Sequence, residues 1–94
     1  MSRPEPLQKL LYQYLKVAGL QEKFESYLPF LFWDQTVGPR ISEKTEPYKV
    51  VNGSLFVKVP DSVWRNELQY MKVEIIEKLN QKIGKSVIRD IKFY

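Results

Sequence analysis

At 94 residues, with 44% apolar and 14% aromatic side chains, the chain is long enough for one small hydrophobic core and too apolar to remain disordered. Lysine and arginine outnumber aspartate and glutamate by 15 to 11, a formal charge of +4, so a nucleic acid or an acidic protein surface is a more natural partner than a basic one. Cysteine and histidine are both absent, which excludes disulfides, thiolate nucleophiles, imidazole bases and Cys/His zinc sites.

The start MSRPEPLQK lacks the apolar core of a secretory signal, and no apolar run approaches the roughly 20 residues that span a bilayer. A cytoplasmic protein without membrane contact is expected, with residues 1–94 forming a single domain. Leu7, Leu10, Leu11, Tyr14, Leu15 and Ala18 recur at the spacing of one helix face, and Gly19 stops that helix. A second helix starts near Gln21, with Phe24, Leu28, Leu31, Phe32 and Val37 on its inner side. Pro29 kinks it or splits it into two short helices, because an interior proline costs about 3 kcal/mol. Gly38-Pro39 marks a bend, with helix resuming as far as about Lys44.

Pro47 to Val51 reads as a strand, and Asn52-Gly53 supplies the positive φ angles of a two-residue hairpin turn. Ser54 to Val59 then alternates as a half-buried strand until Pro60. With that turn, Tyr48 faces Val57 and Lys49 faces Phe56. Tyr48, Val50, Leu55, Val57 and Val59 are expected against the helices, and Lys49, Val51, Phe56 and Lys58 on the other side. Asp61 and Ser62 open a long helix whose Trp64, Leu68, Met71, Ile75, Leu79 and Ile83 form an apolar stripe, and Gly84 closes it. Ser86 to Tyr94 is the third strand. The chain is therefore read as α+β: two N-terminal helices, a β-hairpin, a long helix and a third strand, giving a three-stranded mixed sheet with helices on one face.

The outward side of the hairpin carries the most suggestive chemistry. Phe56 lies between Lys49 and Lys58, the combination of residue types that stacks a base while neutralising phosphate; the alternative is a covered phenylalanine among solubilising lysines. Arg40, Lys44, Arg65 and Lys72 are candidates to extend this into a basic strip. Tyr27, Phe30 and Trp33 crowd one stretch with more aromatic surface than a small core hides, and are candidates for a protein-binding patch. Trp64 continues the stripe of its helix and belongs to the core. Asp34, Glu43, Glu46, Asp61 and Glu67 show no repeated close spacing, and no glycine-rich phosphate loop is present, so no enzyme, cofactor or metal is expected.

Several spaced motifs also go together: W-x3-V-G-P-x-I from Trp33, T-x-P from Thr45, G-x-L-x-V-x-V from Gly53, S-x-W-x2-E-L from Ser62, L-N at Leu79, and I-x-F from Ile91. Over nearly the whole chain this pattern resembles the DciA family of bacterial replicative-helicase loaders. The resemblance implies a KH-like domain that acts in DNA replication without catalysis, bound to single-stranded DNA and the replicative helicase and so associated with the nucleoid. Many family members add a basic, flexible tail, and a chain without one is expected to be a minimal binder. The G-x-x-G loop with which KH domains grip RNA is absent, so an RNA-binding KH-like domain is an alternative with less support, as is a protein-interaction module that binds no nucleic acid.

Overall fold

The computed structural model describes residues 4–94. Helices α1 (Pro4–Val17) and α2 (Gln21–Ser42) precede a hairpin of β1 (Glu46–Val51) and β2 (Ser54–Lys58); α3 (Ser62–Ile83) then leads to β3 (Asp90–Phe93). The sheet order is β1-β2-β3, with β1 antiparallel and β3 parallel to the central β2. This is the α+β architecture that the residue pattern implies.

The hairpin turn has Asn52 at φ 51° and Gly53 at φ 81°, the positive pair that matches strand twist. A Cβ on Gly53 would also come 2.7 Å from the Nε of Arg89, whose guanidinium hydrogen-bonds to the Asn52 carbonyl oxygen. Asp61 alone caps α3, accepting hydrogen bonds from the Val63 and Trp64 backbone N–H groups at 2.8 and 3.2 Å. Between the helices and one face of the sheet lies a core of Trp33, Ile41, Leu55, Val57, Val59, Leu68, Ile75, Leu79, Ile88, Ile91 and Phe93, all buried. Trp64 is half-buried against it.

The break in α2 falls at Gly38 and not at Pro29. Pro29 sits inside the helix with its ring buried, so the apolar surface it removes from water offsets part of the lost backbone hydrogen bond. Gly38 has φ 87° and ψ 164°, a combination essentially closed to residues with a Cβ. It redirects the chain so that Pro39–Ser42 forms a last turn and Ile41 enters the core. A Cβ at Gly38 would meet no atom within 4 Å, so the cost of Gly38→Ala is purely that of the backbone. We expect a loss of about 1–3 kcal/mol in urea unfolding, with the slope of the transition unchanged.

Two other expectations are corrected, and one feature goes beyond what the periodicity stated. The apolar stripe of α1 is mostly uncovered: Leu7, Leu10, Leu11 and Tyr14 are exposed, and Leu15 is the buried member. α1 leans on α2 by one margin, where the Tyr12 ring meets Phe24 edge-on at 5.9 Å, and a single neighbour cannot cover so wide a stripe. The third strand is shorter than Ser86 to Tyr94 because the Asn80 side chain holds the backbone of Val87 and Ile88 in an irregular segment before it. Finally, β1 carries a bulge between Pro47 and Lys49: Pro47 pairs with Val57 and Lys49 with Phe56, and Tyr48 is the extra residue. Tyr48 therefore turns away from the helices, and Pro47 takes the half-buried inward position.

One ion pair ties α2 to the turn after α3, with the Lys85 ammonium 2.7 Å from the Glu25 carboxylate. Burial acts to raise the Glu25 pKa, but hydrogen bonds from Lys85 and Gln21 and the charge of Lys85 outweigh it and hold the carboxyl below its ordinary 4.5. Asp90 is likewise held below 3.8: burial acts upward, and Lys72, the Ile91 N–H and Lys92 act more strongly downward. A carboxyl whose folded value lies below its unfolded one stabilises the fold above the unfolded value, and that contribution is lost as pH falls through the folded value. Stability should thus decline as pH drops below about 4.5. Glu25→Gln should be less stable than the parent at pH 6 and lose less on acidification; parallel unfolding curves for the two from pH 6 to 3 would contradict this.

Candidate nucleic-acid interface

With α2 and α3 packed on one side of the sheet, its other face is open, and strand alternation decides what it presents. β2 sends Phe56 and Lys58 outward between the buried Leu55, Val57 and Val59, and β3 sends Asp90 and Lys92 outward beside the buried Ile91 and Phe93. Register then sets neighbours, since Phe56 is the partner of Lys49 on one side and of Lys92 on the other. A row Lys49–Phe56–Lys92 crosses the sheet.

The Lys49 ammonium lies 4.8 Å from the centroid of the Phe56 ring and 5.4 Å from that of Tyr48, within cation–π range of both. Through the bulge, Tyr48 stands 6.2 Å from Phe56 and 5.4 Å from Tyr94, ring centre to ring centre. Tyr94 is seated here because its backbone N–H donates to the Val57 carbonyl and its own carbonyl accepts from the Val59 N–H, extending the parallel ladder. Burial, a hydrogen bond with Tyr48 and the nearby charges of Tyr48 and Glu46 push the Tyr94 phenol up to about 12, so it remains neutral at physiological pH. The result is three aromatic rings among lysines, a surface able to stack bases and to neutralise phosphate.

The structure brings Lys49, Phe56 and Lys58 onto this one face and adds Tyr48, Lys92 and Tyr94. Tyr48 was concealed by the bulge, whereas Lys92 and Tyr94 were legible in the alternation of Ile91 and Phe93. Lys72 stands at the rim, 3.2 Å from Asp90, which also pairs with Lys92 at 3.3 Å. Arg65 is turned to the end of β2, where its guanidinium donates to the Val59 carbonyl at 2.7 Å. Arg40 and Lys44 are exposed at the bent end of α2 and the turn after it, and no hydrogen bond or ion pair ties either side chain to the sheet among the described residues.

Of the aromatic stretch in α2, Tyr27 is exposed, Phe30 is half-buried against the core and Trp33 is 1% exposed. Six residues advance a helix by about 600°, which puts Tyr27 and Trp33 on different sides. The placement of Trp33 in a partner-binding patch is therefore corrected: its indole fills the core, and its Nε1–H donates to the Thr45 hydroxyl at 2.9 Å. No group of acidic residues able to hold a metal ion occurs among the described residues, and none of their helices is long and apolar enough to cross a membrane.

Comparison with known proteins agrees with the motif pattern. The family described as Dna[CI] antecedent, DciA, matches residues 6–93. A protein of Corynebacterium glutamicum (strain R) named "UPF0232 protein" is 23% identical over 62 residues, covering 66% of this chain and 35% of that protein. The chain thus spans about a third of the length of the curated relative it matches.

Proposed function

Because the chain belongs to the DciA family, we propose that it is a non-enzymatic adaptor of bacterial DNA replication, which binds single-stranded DNA on the open face of its sheet and contacts the replicative helicase during loading. The reading locates it in the cytoplasm, at the nucleoid, with a KH-like fold lacking the glycine loop of RNA-gripping relatives. The observation that carries the DNA half is the cluster of Lys49 over Phe56 with Tyr48 and Tyr94 beside it, on the one side of the sheet that no helix covers. A single strand exposes base faces and phosphates together, and this surface offers a counterpart to each. Lys58 and Lys92 supply further charge on the same face, and Lys72 and Arg65 border it. Arg40 and Lys44 are proposed to act farther along the strand.

The test is fluorescence anisotropy with a labelled oligo-deoxythymidine. Removing a stacked ring costs about 1–3 kcal/mol, so Phe56→Ala should weaken binding roughly 5- to 150-fold. The logarithm of affinity should fall with the logarithm of salt at a slope of about −0.7 per phosphate contacted, or roughly −2 if Lys49, Lys58 and Lys92 each meet one. A flat salt response together with unchanged Phe56→Ala affinity would eliminate this surface as the binding site. Tighter binding of the matching oligo-uridine would favour an RNA-binding role. For the helicase half, affinity capture from nuclease-treated lysate should retain the helicase, and capture only without nuclease would mean that the two merely share DNA.

A further inference from the structure

A second concave surface lies away from the open sheet face. α1, α2 and the C-terminal end of α3 enclose an open groove whose apolar lining comprises Leu11, Tyr12, Phe24, Leu28, Phe32 and Ile83. Phe24, Leu28 and Phe32 recur every four residues along α2 and form a straight ridge of about 12 Å, the relief into which the side chains of another helix interlock. Lys9, Lys16 and Lys82 stand around this lining. Lys16 and Lys82 take part in no ion pair among the described residues. The one acidic residue lining the groove among those described, Glu25, is already neutralised by Lys85 and hydrogen-bonded by Gln21. The groove is thus apolar within and positive around.

We propose that this groove is a docking site for an acidic amphipathic helix of a partner protein. Such a helix would set its apolar side on the Phe24–Leu28–Phe32 ridge and bring its carboxylates to Lys16 and Lys82. Charge complementarity selects this occupant over a second copy of the chain, whose surface carries a net positive charge. It also gives the incompletely covered α1 a second neighbour, since Leu11 and Tyr12 line the same groove. The inference is independent of the nucleic-acid reading, because the two surfaces have no lining residue in common.

The probe is a fluorescein-labelled synthetic peptide of about 15 residues with leucines at three- and four-residue steps and glutamates elsewhere, beside its lysine-for-glutamate counterpart. The acidic peptide should bind the intact protein and gain helicity. The basic peptide should bind at least tenfold more weakly. Lys16→Glu/Lys82→Glu, altered only at exposed positions, should weaken the acidic peptide by tenfold or more, and Phe56→Ala should leave it unchanged. Equal binding of both peptides, no binding at millimolar peptide, or indifference to Lys16→Glu/Lys82→Glu would overturn the proposal. So would an oligo-deoxythymidine that loses affinity with Lys16→Glu/Lys82→Glu as much as the peptide does, because the groove would then be a nucleic-acid site.

Discussion

Trp33→Ala is expected to lose about 3–5 kcal/mol of stability, the range for truncating a large buried aromatic. A domain of this size has roughly 5–15 kcal/mol in total, so the variant should be partly unfolded at 37 °C or close to it. Two effects add at this residue. The indole is almost fully enclosed between the helices and the sheet, and it links the bent end of α2 to the chain entering β1. Its N–H donates to the Thr45 hydroxyl, which in turn donates to the Ile41 carbonyl at 2.9 Å, so the ring, the last turn of α2 and the residue before the first strand are joined in one chain of contacts. Trp33→Phe keeps most of the apolar volume and drops the hydrogen bond, and should lose about 1–2 kcal/mol. The measurement is equilibrium unfolding in urea followed by far-ultraviolet circular dichroism. A Trp33→Ala midpoint within error of the parent would show that the indole is not a core anchor.

The second large effect belongs to Asn80, a half-buried polar residue near the C-terminal end of α3. Its carboxamide oxygen accepts from the Val87 and Ile88 backbone N–H groups at 3.1 and 3.0 Å, and its Nδ2–H donates to the Ile88 carbonyl at 2.8 Å. Its own backbone carbonyl accepts from the Gly84 and Lys85 N–H groups, so one residue organises the whole exit from α3. This secures Ile88, 2% exposed, and starts β3 in the register that puts Ile91 and Phe93 inward. Asn80→Ala leaves the N–H and the carbonyl of the buried Ile88 unpaired, while the Val87 N–H keeps its bond to the Lys85 carbonyl, and should lose about 2–4 kcal/mol. Asn80→Asp keeps the accepting oxygen and loses the donor, and should fall in between. Hydrogen exchange at the Ile88 amide separates local from global effects: protection should collapse first there in Asn80→Ala.

Where a residue type admits one backbone answer, the sequence can be read directly. Asn52-Gly53 allows a tight hairpin and little else; Pro60 followed by Asp61 ends a strand and caps a helix; and the β2 alternation assigns Phe56 and Lys58 to one face without further information. The missed features arise where local preference is outweighed by surroundings. Pro29 disfavours a helix interior, but burial retains it, which leaves the break of α2 at the bend that Gly38-Pro39 already marked in the sequence. The Tyr48 bulge depends on how Pro47, which lacks an N–H, meets Val57 across the hairpin, and no period in β1 reveals it. Without the bulge the site would have been Lys49, Phe56, Lys58, Lys92 and Tyr94; with it, a tyrosine crosses to the open face and meets Tyr94. α1 has a clear apolar period, yet period indicates which side would be buried, not whether anything is there to bury it.

The parallel pairing of β2 with β3 sets an order of events in the formation of the molecule. The β1–β2 hairpin closes over two residues and can form within microseconds, whereas Ser54 meets Asp90 only after the intervening helix has been made and swung back. The central strand therefore waits with one side unzipped, and the entropy of closing that long loop is spent before Ile91 and Phe93 return any apolar contact. On the ribosome this delay is imposed by direction, because α3 emerges before β3. Until then Leu55 and Val57 form one wall of an unfinished interior, and the nascent chain presents an open strand edge to any neighbour able to zip onto it.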